Sequence, residues 1–229
     1  MEQLPLEIRL ADFARFETYY SGPNQAAVAA LQHAAEELGQ QVHWVWGRTG
    51  SGRSHLLQAA VHAARGRCAW LPLDPSGGRK PALLDGMGAL DLLCVDDIDA
   101  VAGDGEWERA LFRVFEELKA NNGRLIVSAS SAPASAQFEL RDLASRLASG
   151  PTWRLKSLDD DELLAALQLR AKWRGLELSH EAATFLLRRA TREVGALFEL
   201  LDVADQAALA AQRKLTVPFL KSVLESRAG

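Results

Sequence analysis

Apolar residues along this chain follow two rhythms. Up to about residue 157, short apolar runs at 42–46, 67–73, 91–96, 124–128 and 152–155 alternate with helical patterns at about 24–38, 53–65, 81–88, 106–121 and 140–148, with Gly, Pro and Asn between them. Runs that are apolar throughout suit strands buried on both faces, and their alternation with helices predicts parallel βαβ units. The expected core is therefore α/β, a five-stranded parallel sheet with helices on both sides. From Leu158 the strand pattern stops. Asp159-Asp160-Asp161-Glu162 forms an acidic helix start, and Leu163, Leu164, Leu167 and Ala171 continue that helix to Gly175. Ser179 caps a second helix to about Ala190, Thr191 a third from Arg192 to about Gln212, and Thr216 with Pro218 opens a short last one. The expected organisation is a terminal segment over 1–23, a core over 24–157 and a small all-helical domain over 158–229.

Composition narrows the class. A hydrophobic content of 48% and a charged content of 24% over 229 residues are those of a soluble globular protein with one substantial core and an appendage. No apolar run approaches the roughly 18 residues of a membrane span, and the N-terminus lacks a signal-peptide pattern, so a cytoplasmic protein without membrane contact is expected. The two cysteines, Cys68 and Cys94, lie in apolar runs and read as inert core thiols, and the five histidines show no metal-ligand spacing. A net charge of −4 argues against a broad basic grip on nucleic acid; any work at DNA would go through another molecule that holds the protein there.

The richest chemistry follows the first apolar run. Gly47-Arg48-Thr49-Gly50-Ser51-Gly52-Arg53-Ser54 has the spacing of a phosphate-binding P-loop, placed between a strand and the helix that His55-Leu56-Leu57 begins. Its glycines let backbone N–H groups wrap phosphate oxygens, helped by the partial positive charge of the helix start. Arg53 stands where lysine is usual, and the two cations are not interchangeable. In this reading the backbone from Thr49 to Ser54 holds the β-phosphate, Arg53 adds charge and the Ser54 hydroxyl faces Mg²⁺. A second motif, Leu92-Leu93-Cys94-Val95-Asp96-Asp97, ends an apolar strand in two carboxylates, at the edge where parallel sheets bind ligands. Asp96 would orient Mg²⁺ or its waters, and Asp97 would polarise an attacking water.

Gly52-Arg53-Ser54-His55-Leu56-Leu57-Gln58-Ala59, Val95-Asp96-Asp97-Ile98, Asp142-Leu143-Ala144-Ser145-Arg146-Leu147, Leu167-Gln168-Leu169-Arg170-Ala171 and Ala211-Gln212-Arg213-Lys214-Leu215-Thr216 together resemble the AAA+ proteins related to the bacterial replication initiator DnaA, and most closely their Hda branch, in which arginine is typical at the P-loop position. The likeness spans nearly the whole chain. It implies an AAA+ core with a helical lid, ADP or ATP with Mg as cofactors, His55 as part of the nucleotide-binding loop, Arg146 as an arginine finger aimed at a neighbouring subunit's nucleotide, and Arg192 as the sensor-2 arginine. Phe16, Tyr19, Tyr20 and Gly22 align loosely with an adenine-pocket segment, for which core packing is the alternative, and Tyr20 enters the candidate nucleotide site on that basis. Gln3-Leu4-Pro5-Leu6 is similar to the peptide that docks such proteins on the DNA polymerase III β sliding clamp. The chain departs from the pattern at Ser130, where relatives often carry an acidic sensor 1, and no counterpart of the initiator's C-terminal DNA-binding domain is expected.

The resemblance implies a regulator of replication initiation at the nucleoid and replisome. Nucleotide-bound and tethered to a DNA-loaded clamp, it would supply Arg146 in trans to make DnaA hydrolyse its ATP. It would be at most a weak ATPase itself and mainly an activator of another, touching DNA only through the clamp; self-association through Arg146 is a further expectation. Two other readings share the P-loop: an AAA+ adaptor or helicase-loader type protein, and a P-loop small-molecule kinase, which would need an acceptor pocket and usually the lysine.

Overall fold

The computed structural model describes residues 14–36, 42–74, 78, 80–191 and 193–225. Its contacts divide the chain into two compact units, one containing Asn24–Lys156 with the segment up to Tyr19, the other Ser157 onward with Tyr20–Pro23. Among the described residues no helix is long and apolar enough to cross a membrane.

The first unit is a five-stranded sheet of β1 (Val42–Trp46), β2 (Cys68–Pro72), β3 (Leu92–Asp96), β4 (Arg124–Ala129) and β5 (Thr152–Arg154), all parallel, in the order β2-β3-β4-β1-β5. Every residue of β3 and β4 is buried, which explains why both strands are mostly apolar. Side chains alternate between two cores. Val42, Trp44, Leu93, Val95, Leu125 and Val127 share one with Trp107, Leu111, Phe115 and Leu118 of α3 (Gly105–Ala120) and Leu143 and Leu147 of α4 (Arg141–Leu147). Val45, Leu92, Cys94 and Ile126 pack on the other side with Leu31 of α1 (Gln25–Glu36) and Leu56, Leu57, Ala59 and Ala60 of α2 (Arg53–Ala63). The span 81–88, read as a helix, is instead two 3₁₀ turns, Pro81–Leu84 and Met87–Ala89. Gly86, at φ +81°, breaks any continuation between them.

Three buried polar groups tie this unit together. Glu108 on α3 is fully buried and accepts backbone N–H groups from Gly103 (2.7 Å), Glu139 (3.1 Å) and Leu140 (2.6 Å). Arg124 donates to the carbonyls of Ala34 and Ala35 at the end of α1. Asn24 pairs with Lys156 in both directions, its amide donating to the Lys156 carbonyl (3.0 Å) and accepting from the Lys156 N–H (2.7 Å). Such satisfaction is what makes burial of polar atoms tolerable.

The second unit packs α5 (Asp160–Trp173), α6 (His180–Leu187), α7 (Val194–Ala211) and α8 (Val217–Glu225) around Leu163, Leu167, Leu186, Leu197, Leu201 and Leu220. The acidic start of α5 is a capping box: Asp159 accepts the Glu162 N–H and Glu162 accepts the Asp159 N–H, both at 2.9 Å. Ser179 caps α6 through the Ala182 N–H. Helix α7 begins at Val194, two residues later than its sequence pattern suggests.

Burial pushes the Cys94 thiol well above its ordinary value of 9.0, and Cys68 upward as well. A raised pKa in the folded chain gives stability that is full below the unfolded value and is lost as pH climbs above it. Denaturant midpoints should therefore fall above about pH 9, less steeply in Cys94→Ala, and Cys94 should alkylate in denaturant but not in the native protein.

Candidate functional site

The site is assembled where β1, β3 and β4 end side by side. The loop from Gly47 to Gly52 leaves β1 with the Gly47 N–H directed to the Ala129 carbonyl at the end of β4 (3.4 Å), and turns through a Ser51 N–H to Arg48 carbonyl bond (3.1 Å). Gly52, at φ +88°, occupies the N-cap of α2 and leaves the first turn of that helix without a side-chain cap. Open N–H groups at a helix start attract anions.

Gly52 is constrained from two sides. Its backbone conformation is one that side chains resist, and a Cβ there would stand 2.5 Å from the Tyr19 ring. Tyr19 props the loop from behind: its hydroxyl donates to the Ser51 carbonyl (3.1 Å) and receives the Asn24 amide (3.3 Å), and burial pushes its pKa up to about 12. His55 turns to the same segment, 5.5 Å from Tyr19 ring to ring, with Nε2 on the Arg15 carbonyl (2.8 Å). Phe16 belongs to the core. Of the aromatics near the N-terminus it is thus Tyr19 that meets the loop, while Tyr20 falls in the helical unit.

Opposite the loop, Asp97 follows β3 in a left-handed conformation, φ +53°, and forms an ion pair with Arg53 (Nη2 to Oδ1, 2.8 Å). The Arg53 side chain is 11% exposed and that of Asp97 46%. Asp96 is buried and accepts the Ser128 hydroxyl, while the same Ser128 oxygen accepts the Asp97 N–H (2.9 Å). One serine on β4 thereby fixes both acids of the motif. Burial raises the Asp97 pKa, Arg53 counters it, and the neighbouring Asp96 and Asp99 add to the rise. Asp99 accepts both the N–H (2.9 Å) and the hydroxyl of Ser130. So although position 130 is not acidic, an acid reaches it from the turn after β3. Arg53, Leu73, Asp74, Asp97, Asp99 and Ser130 line a cavity of about 440 Å³.

Two polar atoms here show what kind of ligand fits. Ser51 Oγ and Arg53 Nη1 are shielded from solvent yet have no hydrogen-bond partner in the protein. Buried donors left unpaired are costly, and an oxyanion beside the loop would satisfy both. Thr49, Gly50 and Ser54 are exposed at the same place. Of the residues expected to serve Mg²⁺, Ser54 is exposed and Asp96 is buried against Ser128; among the described residues no group of three or more His, Cys, Asp or Glu is placed to hold a metal by itself. A sparse protein donor set is what Mg²⁺ shared with phosphates ordinarily uses.

Arg146 does not join this cavity. It sits in the last turn of α4, 45% exposed, with Nε 3.2 Å from Glu116 Oε1 on α3. Arg192 and the segment Gln3, Leu4, Pro5 and Leu6 lie outside the described residues. The supporting roles of Tyr19, Asn24, Ser128 and Asp99 were not anticipated; only Ser128, a hydroxyl inside an otherwise apolar strand, leaves a visible trace in the sequence.

A phosphate loop after β1 of a 2-3-4-1-5 parallel sheet, an Asp-Asp pair ending β3 one strand beyond β4, and a following four-helix unit define an AAA+ type P-loop NTPase fold. The family model for the bacterial DnaA ATPase domain matches residues 80–156, and that for the Hda lid domain matches residues 159–224. Among solved structures, domain III of Thermotoga maritima DnaA is similar at 20% identity and a TM-score of 0.79, covering 95% of this chain and 98% of that one. AMPPCP-bound DnaA from Aquifex aeolicus is similar at 23% identity and 0.72, covering 86% of this chain, which spans 66% of that initiator. The RuvB branch migration motor of Thermotoga maritima shares the fold at 14% identity and 0.66, covering 93% of this chain and 73% of that one. The chain is a Hda/DnaA-like AAA+ protein.

Gly52→Ala should lower stability by about 2 kcal/mol, part from the left-handed backbone and part from the Tyr19 ring. In a Tyr19→Ala background the steric part disappears, so denaturant unfolding should show a smaller cost for the same substitution.

Proposed function

We propose that this protein is a regulator of bacterial replication initiation that holds a nucleotide as a structural switch and acts on the ATP of DnaA. The observation that carries this reading is the Arg53–Asp97 ion pair. The cation of the phosphate loop and the acid best placed to polarise a water neutralise each other, which suits a site that retains a nucleotide better than one that turns it over. The backbone from Thr49 to Ser54, with Ser51 and Arg53, holds the phosphates; Ser54 and Asp96 hold Mg²⁺; Asp97 leaves a weak ATPase activity. A diphosphate suits the loop best, because Arg53 is already committed to Asp97 beyond it. When bound, the nucleotide supplies the negative charge that these donors lack.

The chemistry then takes place on the partner. Arg146 is the arginine finger, and its exposure at the end of α4 supports that role. A guanidinium brought to a partner's triphosphate stabilises the charge that develops in transfer. Arg192 takes the sensor-2 role. Gln3-Leu4-Pro5-Leu6 docks on the β sliding clamp, which brings the protein to DNA despite its net charge of −4. The match to the Hda lid domain favours this reading over a helicase loader or a small-molecule kinase.

With DnaA, ATP and DNA-loaded clamp, the wild-type chain should accelerate ATP hydrolysis, and Arg146→Ala should remove roughly 10³-fold of that acceleration. Equal stimulation by the variant would falsify the finger. Gln3→Ala should abolish clamp binding in surface plasmon resonance while leaving ADP affinity unchanged; unaltered clamp affinity removes the tether. In calorimetric titration ADP should bind at least as tightly as ATP, and a tenfold preference for ATP would count against the switch.

A further inference from the structure

Helix α4 is only seven residues long, too short to hold its shape by its own hydrogen bonds. Its direction is set by α3. At its N-terminal end Glu108 of α3 accepts the N–H groups of Glu139 and Leu140, the latter the N-cap residue, and so fixes the chain where it enters the helix. In the middle, Leu143 and Leu147 enter the core formed with Val114, Phe115 and Leu118. At its C-terminal end the Ser149 hydroxyl donates to the Arg146 carbonyl (2.7 Å), and Glu116 of α3 meets the Arg146 side chain.

The manner of that last contact matters. Glu116 Oε1 is shielded from solvent and takes no hydrogen bond, so the guanidinium of Arg146 is its charge partner. The pair is made through Nε, at the inner edge of the guanidinium. Among the described residues no hydrogen bond occupies Nη1 or Nη2, the two groups that would meet phosphate oxygens. A surface arginine otherwise spreads over many rotamers, and ordering it on contact with a partner is costly.

We propose that Glu116 is the positioning residue of Arg146: it holds the guanidinium by Nε so that both terminal nitrogens reach the partner's nucleotide together. This rests on the finger reading above. The partner group it implies is a nucleoside triphosphate whose transferring phosphoryl oxygens are met by two parallel N–H donors.

The test is DnaA ATP hydrolysis on DNA-loaded clamp, titrated with this protein as wild type, Glu116→Ala, Glu116→Gln, Arg146→Ala and the double variant of Arg146→Ala with Glu116→Ala. Glu116→Ala should lower the maximal stimulated rate roughly tenfold while the half-saturating concentration stays constant, because the orientation of the guanidinium suffers and docking does not. Glu116→Gln keeps the size of the side chain but removes the charge that pairs with Arg146, and should lose a similar share of the rate; it also decides the matter if the alanine variant folds poorly. On the Arg146→Ala background Glu116→Ala should have no further effect. The proposal is overturned if Glu116→Ala stimulates as well as or better than wild type while Arg146→Ala fails, since Glu116 would then be idle or a mask. It is also overturned if the two losses add. An unimpaired Arg146→Ala would instead remove the finger reading itself, and this inference with it.

Discussion

Parallel pairing in a single register is the constraint on which the site depends. Because Trp46 lies beside Ala129, and Val95 beside Val127, the ends of β1, β3 and β4 arrive together at one edge of the sheet. The loop after β1, the two acids at the end of β3 and the hydroxyls of Ser128 and Ser130 on and after β4 then share one small volume. A shift of β4 by one residue would turn Ser128 to the opposite face and leave Asp96 and the Asp97 N–H without their common partner.

Charge at that edge is balanced locally. Asp96, Asp97 and Asp99 stand within four positions of one another, and each is held by a different donor: the Ser128 hydroxyl, the Arg53 guanidinium, and the Ser130 N–H with its hydroxyl. Asp97, whose side chain is 46% exposed, has its proton affinity raised by burial. Its cation comes from the phosphate loop itself. Loop and acids are therefore coupled: anything that draws Arg53 toward an anion also alters the charge on Asp97.

Periodicity made most of the fold legible, because strands buried on both faces leave long apolar runs and helix starts such as Asp159–Glu162 and Ser179 carry their caps in the sequence. The 81–88 span does not form the expected helix, because Gly86 at positive φ separates its two short turns. At the site, the loop and the Asp-Asp pair were evident from spacing alone. Their supports were not. Tyr19 lies more than thirty residues before the carbonyl it holds, and nothing in a local pattern separates a tyrosine that braces a loop from one that fills a core. Glu108 stands among other charged residues of an amphipathic helix, and only tertiary packing shows a carboxylate fully removed from water.

Glu108 also has a consequence for how this region can change over generations. Its two oxygens accept three main-chain N–H groups, Oε1 from Gly103 and Glu139 and Oε2 from Leu140. A glutamine has one acceptor oxygen, and either way round its amino group would face a donor; an aspartate is a methylene short. What the carboxylate recognises is backbone, which any residue supplies. The side chain at position 139 is therefore free to drift, while heredity concentrates its demand for that whole stretch of chain on a single codon at position 108.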